Sequence, residues 1–133
     1  MTKTQNTDDV LKALLSVEDR PEKDVHMKRF GVNFRIQAID GDILNKLTER
    51  CTFYTGKGSK REKQLDEDKF GALIIAKSCI VPKWDEPALL DKYETKDVAT
   101  VIKKRLLAGE IAKLAGEIMD LSGFTDEEDD LKN

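Results

Sequence analysis

Apolar residues along this chain recur with two different periods, and the changeover marks its organisation. From Asp8 to Val17, Val10, Leu14 and Val17 fall on one helical stripe, with Thr7 as the expected cap and Asp8 and Asp9 suited to the positive end of the helix dipole. Glu18 to Lys23, with Pro21 and five charges, reads as a loop. The period then drops to two. Val25 and Met27 alternate with His26 and Lys28, and Val32, Phe34, Ile36 and Ala38 alternate with Asn33, Arg35 and Gln37. Alternation rich in β-branched and aromatic residues predicts half-buried strands. Gly31 supplies the turn, so a β-hairpin is expected over 24–39, covered on one face.

Helical spacing returns at Asp40-Gly41-Asp42 and runs through Cys51, with Ile43, Leu44 and Leu47 as the stripe. Residues 52–63 contain two glycines and the basic cluster Lys57, Lys60, Arg61 and Lys63, and are expected to form a mobile loop. Leu65-Asp66-Glu67-Asp68 leads into a helix with Phe70, Leu73 and Ile74 on one side, stopped by Pro82. Trp84 lies in the connector, and Pro87 opens a short helix to Tyr93. Thr95 is the expected cap of a helix carrying Val98, Val101, Ile102 and Leu106. Gly109 interrupts at a charged turn, and Leu107, Ile111, Leu114, Ile118 and Leu121 repeat at 4-3-4-3 spacing, the period of helix-on-helix packing. Ser122-Gly123 closes that helix.

The expected fold is therefore α+β and predominantly helical, one β-hairpin packed with four to five helices. A single domain is expected over 7–124, between a disordered N-terminus (1–6) and an acidic disordered tail (125–133). The expected core comprises Phe34, Ile36, Leu47, Leu73, Ile74, Val101, Ile102, Ile111, Leu114 and Ile118.

Composition narrows the function. Charged residues are 37% of the 133, above the roughly 25% of an average domain, which favours exposed helices over one thick core. The longest run without a charged side chain, Phe70 to Ala76, is too short to span a membrane. No secretory signal is visible in the first residues, so a cytoplasmic location is expected, with Cys51 and Cys79 as buried free thiols. No Walker loop, GxGxxG, HExxH, GxSxG or EF-hand spacing occurs, and Gly56-Lys57-Gly58-Ser59-Lys60 lacks the order of a phosphate loop. No catalytic, cofactor-binding or metal-binding residue is assigned. His26, the single histidine, alternates with apolar neighbours and reads as an outward strand residue. The five acids of 126–130 read as a solvated tail. Phe53 and Tyr54 beside the basic cluster suggest the alternative of a small nucleic-acid-binding regulator, but 23 basic against 26 acidic residues make nucleic acid an unfavoured partner.

One segment carries more. Residues 101–124, VIKKRLLAGEIAKLAGEIMDLSGF, contain a pattern LLAGEIAxLxxEIxxLSGF. It resembles the C-terminal helix pair of the XkdN-like phage tail assembly chaperones, PBSX-type prophage tail proteins found in tailed phages and defective prophages of Gram-positive bacteria. FRIQAI at 34–39, LTERCT at 47–52 and LIIAKSCIVPKW at 73–84 follow in the same family's order. The resemblance implies a non-enzymatic morphogenesis protein that binds the tape measure protein and keeps its apolar helices soluble until the tail tube forms. It implies a homo-oligomer and, in many members, a longer isoform made by translational frameshifting. It brings no cofactor or metal. The stripe Leu107, Ile111, Leu114, Ile118 and Leu121 and the one-sided hairpin are the candidate partner-binding surfaces; packing of the two on each other inside the molecule is the competing expectation.

Overall fold

A computed structural model of the chain describes residues 6–17 and 20–124. The expected disorder of the N-terminus (1–6), Asn6 apart, and of the acidic tail 125–133 lies outside the described residues. Six helices and five short strands make up the rest: α1 (Thr7–Ser16), β1 (Glu22–Met27), β2 (Val32–Gln37), α2 (Gly41–Cys51), β3 (Thr52–Thr55), β4 (Glu62–Leu65), α3 (Glu67–Ser78), β5 (Cys79–Val81), α4 (Pro87–Lys92), α5 (Val98–Arg105) and α6 (Ala108–Leu121). The fold is α+β and predominantly helical.

The period-2 segment forms the expected antiparallel hairpin, β1 on β2, with Val25 opposite Phe34 and His26 opposite Asn33. Val25, Met27, Phe34 and Ile36 turn inward and are buried. On the outer face His26 Nδ1 lies 2.9 Å from Asn33 Oδ1, and Arg35 donates to Glu22 and Asp24 at 2.8 Å each. Gly31 holds a φ of 67°, the left-handed turn for which the glycine was expected.

Two segments depart from expectation. The helix after Asp66 ends at Ser78, short of Pro82, and Cys79–Val81 turns extended as β5. It pairs antiparallel with β2, Ile36 opposite Cys79, giving a three-stranded sheet in the order β1-β2-β5. Ile80 and Val81 are β-branched, and Pro82 pushes the residue before it towards extended backbone, so three residues suffice to cover the open edge of β2. Residues 52–63, expected as a loop, form most of a second hairpin, β3 on β4. Thr52, Phe53, Tyr54 and Thr55 are good strand formers. Gly56 and Gly58, at φ 85° and 58°, make the turn, where a side chain on Gly56 would collide with the Lys60 carbonyl. The Arg61 guanidinium lies 4.0 Å from the Tyr54 ring centre.

α3 is the central helix. Ala72, Leu73, Ile74, Ile75 and Ser78 are all buried, so the uncharged run is covered nearly all round rather than along one stripe. α2, α5 and α6 pack around it, and α6 also lies against β1. Gly71 permits the closeness of α6: a Cβ there would meet Ile111 Cγ2 at 3.4 Å. Of the ten expected core residues nine are buried, and Ile111 is half-buried at the rim.

The caps shift by a residue or two. Asn6, not Thr7, caps α1, its Oδ1 accepting from Asp9 N at 2.8 Å. Asp97, not Thr95, caps α5, while Thr95 Oγ1 accepts from Asp97 N at 3.0 Å. The break between α5 and α6 falls at Leu106 and Leu107, and Gly109 lies inside α6.

Candidate partner-binding surfaces

The 4-3-4-3 stripe divides. Leu114 and Ile118 are fully buried in the core cluster that includes α3 and the hairpin. They leave no side-chain surface for a partner, which corrects their place among the candidate contact residues. Ile111 and Leu121 are half-buried. Leu107 alone stands out, 58% exposed. The inner face of the hairpin is likewise spent on the core. The two candidate surfaces mostly serve the interior, because α6 is gripped along its length.

That grip is polar at its ends. Arg29, in the β1–β2 loop, forks onto Glu110 through Nε (3.0 Å) and Nη2 (2.6 Å), and Nη2 also donates to the Arg105 carbonyl at 3.1 Å. Glu110 in turn accepts from Leu107 N at 2.8 Å, closing the first turn of α6. The hydrogen bond from Arg29 holds the Glu110 carboxyl below the ordinary glutamate range. Further along, Lys113 Nζ donates to the His26 carbonyl at 2.9 Å and Lys23 pairs with Glu117.

Three of the open surfaces among the described residues stand out. The first is α1, which buries none of its residues. Val10, Leu11, Leu14, Leu15 and Val17 are all exposed, Leu14 by 74% and Leu15 by 68%. The stripe Val10, Leu14 and Val17 was legible as a helix face; periodicity gave no sign that no described residue would cover it. The second is an apolar groove of about 400 Å³ between α3 and α6, lined by Phe70, Ile74, Ile111, Ala112, Ala115 and Met119 among others. Its α6 wall shares Ile111 with the stripe and otherwise uses the neighbouring face of the helix. The third is a polar cleft of about 730 Å³ at the Glu22–Gln37 end of the sheet, lined by Arg50, Lys77, Lys83, Lys96 and Trp84 together with carboxylates. No motif predicts it, because its residues come from separate elements.

Groups able to do covalent chemistry are poorly placed. Burial pushes the Cys79 thiol up to about 11 and raises that of Cys51, so neither is a thiolate at neutral pH. His26 lies on the exposed strand face against Asn33. Among the described residues no three His, Cys, Asp or Glu side chains cluster as metal ligands, and no helix is long and apolar enough to cross a membrane.

The profile of the phage XkdN-like tail assembly chaperone proteins matches residues 10–133. The chain belongs to that family. Its relatives include the phage-like element PBSX protein XkdN of Bacillus subtilis, 32% identical over 103 residues, which are 76% of this chain and 70% of that one. The uncharacterised protein YqbN of the same organism is 31% identical over 103 residues, 76% of this chain and 69% of its own. A crystal structure of the protein YqbN superposes with a TM-score of 0.64 at 21% identity, covering 92% of this chain and all of that one, and supports the fold. The XkdN-like match takes in α1 from Val10 onward and continues through the acidic segment to residue 133.

Proposed function

We propose that this tail assembly chaperone binds apolar helical segments of the phage tape measure protein and keeps them soluble until the tail tube polymerises, with no catalytic step. One observation carries the reading. The core is complete without α1, yet α1 and its C-cap Val17 present five exposed apolar side chains. Contiguous exposed apolar surface marks an interaction site, and a helix of ten residues is marginal in water without a partner. The groove between α3 and α6 offers a second seat for an apolar helix. A client helix laid on such surfaces hides its apolar face, while the charged exterior of the chaperone keeps the complex in solution.

The place of action in this reading is the cytoplasm of the bacterial host, and the working form is a homo-oligomer. Many weak sites along one long client bind far more tightly together than singly. Where the gene carries a frameshift, the longer isoform is a further partner. Co-expression with the tape measure protein of the same tail operon tests the reading. The tape measure protein should move from the pellet to the supernatant and elute with this chain on gel filtration. Equal insolubility with and without the chain overturns it.

A further inference from the structure

The polar cleft has no part in that reading, and its charges are unusually arranged. Arg50 stands in the last turn of α2, Lys77 in the last turn of α3, Lys83 in the connector after β5, and Lys96 just before the cap of α5. Four elements thus bring four cations to one cleft. Among the described residues none of the four forms a salt bridge. Three carboxylates share the lining, but two are engaged elsewhere. Glu22 accepts from Arg35, and Asp97 caps α5 through Ala99 N and Thr100 Oγ1. Among the described lining residues that leaves Asp85 alone to set against four cations.

The same chain holds a matching segment. Beyond Phe124 lie nine residues, of which Asp126, Glu127, Glu128, Asp129 and Asp130 are acidic. Their point of departure is close to the cleft. Ser122 Oγ accepts from Ile39 N at 2.9 Å, tying the end of α6 to the residue two past Gln37. Gln37 lines the cleft, opposite Glu22 on β1. Five or six residues of extended chain reach roughly 20 Å, enough to carry the acids from Phe124 into the lining.

We propose that the acidic segment Asp126–Asp130 docks in the cleft of its own chain, its carboxylates against Arg50, Lys77, Lys83 and Lys96. Tethering so close to the site gives an effective concentration on the order of millimolar, so individually weak surface pairs suffice. The docking is reversible and salt-sensitive.

The chain carries its own control. The β3–β4 hairpin has a second basic cluster, Lys57 and Lys60 in its turn and Lys63 on β4, outside the cleft. Full-length chains, half of them isotope-labelled, are treated with a zero-length carbodiimide at low salt and mapped by mass spectrometry. The expected links join residues 126–130 to Lys77, Lys83 and Lys96 within single chains, several-fold above links to Lys57, Lys60 and Lys63. They should vanish at about 0.5 M salt, where the Debye length is only a few ångströms. Equal linking to both clusters, or no links, overturns the proposal, and links only between labelled and unlabelled chains assign the cleft to a second copy instead. As a second measurement, the amide resonances of Lys77, Lys83 and Lys96 are compared between the full chain and a variant with Asp126→Asn, Glu127→Gln, Glu128→Gln, Asp129→Asn and Asp130→Asn. They should differ at low salt and converge at high salt. Identical spectra at low salt overturn the proposal even where the cross-linking is ambiguous.

Discussion

Helices α1 and α6 are both amphipathic, each with apolar residues at three- and four-residue spacing, and they end in opposite environments. In α6, Leu114 and Ile118 are fully buried; in α1, no residue is. What surrounds the two differs far more than their periodicity. α6 meets α3 at Gly71, lies on β1 through Lys113 and Glu117, and is locked at its first turn by Arg29 and Glu110. The described bonds of α1 are its own turns and the Asn6 cap. A helical period announces that a face exists, while the fold around it decides whether that face becomes core or stays open for a partner.

The sharpest way to break this contrast is a cavity in α6. Leu114→Ala should cost about 2–5 kcal/mol in urea unfolding, because a fully buried leucine leaves both lost transfer energy and a void. An unchanged midpoint would mean that α6 is not core.

A smaller effect is expected at the clamp. The Glu110 carboxyl is held below its ordinary value in the folded state, so its contribution is present above the unfolded glutamate pKa and is lost as pH falls through the folded one. Glu110→Gln should therefore lower the unfolding midpoint at pH 7, and the gap between the two proteins should close as pH drops below the usual glutamate range. A gap that stays constant over that range would show that Arg29 does not stabilise the charged form.

The least effect on stability belongs to α1. Leu14→Gln with Leu15→Gln should leave unfolding within about 0.5 kcal/mol, as for surface positions in general. The same variant should lose most of its ability to hold the tape measure protein in the supernatant. A large fall in stability would place α1 against the core in solution; full retention of solubilising activity would move the client site elsewhere.

How much of this was legible in the sequence depended on how local the cause was. The β1–β2 hairpin, α2, α5 and α6 declare themselves because one buried face imposes its period on neighbouring residues. β5 was hidden: three residues are too few to show alternation, and they continue an apolar helical run. β3 and β4 were masked by Gly56, Gly58 and the lysines, which read as a loop although the glycines only make its turn. Of the stripe proposed for partners, Leu107 remains open because the Leu106–Leu107 break turns it outward, while Leu114 and Ile118 go inside. Neither the open state of α1 nor the cation cleft could be read from the chain, since each depends on what tertiary packing does or does not bring alongside.

Hydrogen exchange on the protein alone and with the tape measure protein tests the contrast between the two helices most directly. The account predicts that α6 amides are protected in both samples. It predicts that α1 amides exchange quickly in the free protein, as a short uncovered helix must, and slow markedly in the complex. Protection of α1 equal to that of α6 in the free protein, or fast exchange of α1 in the complex, would contradict it.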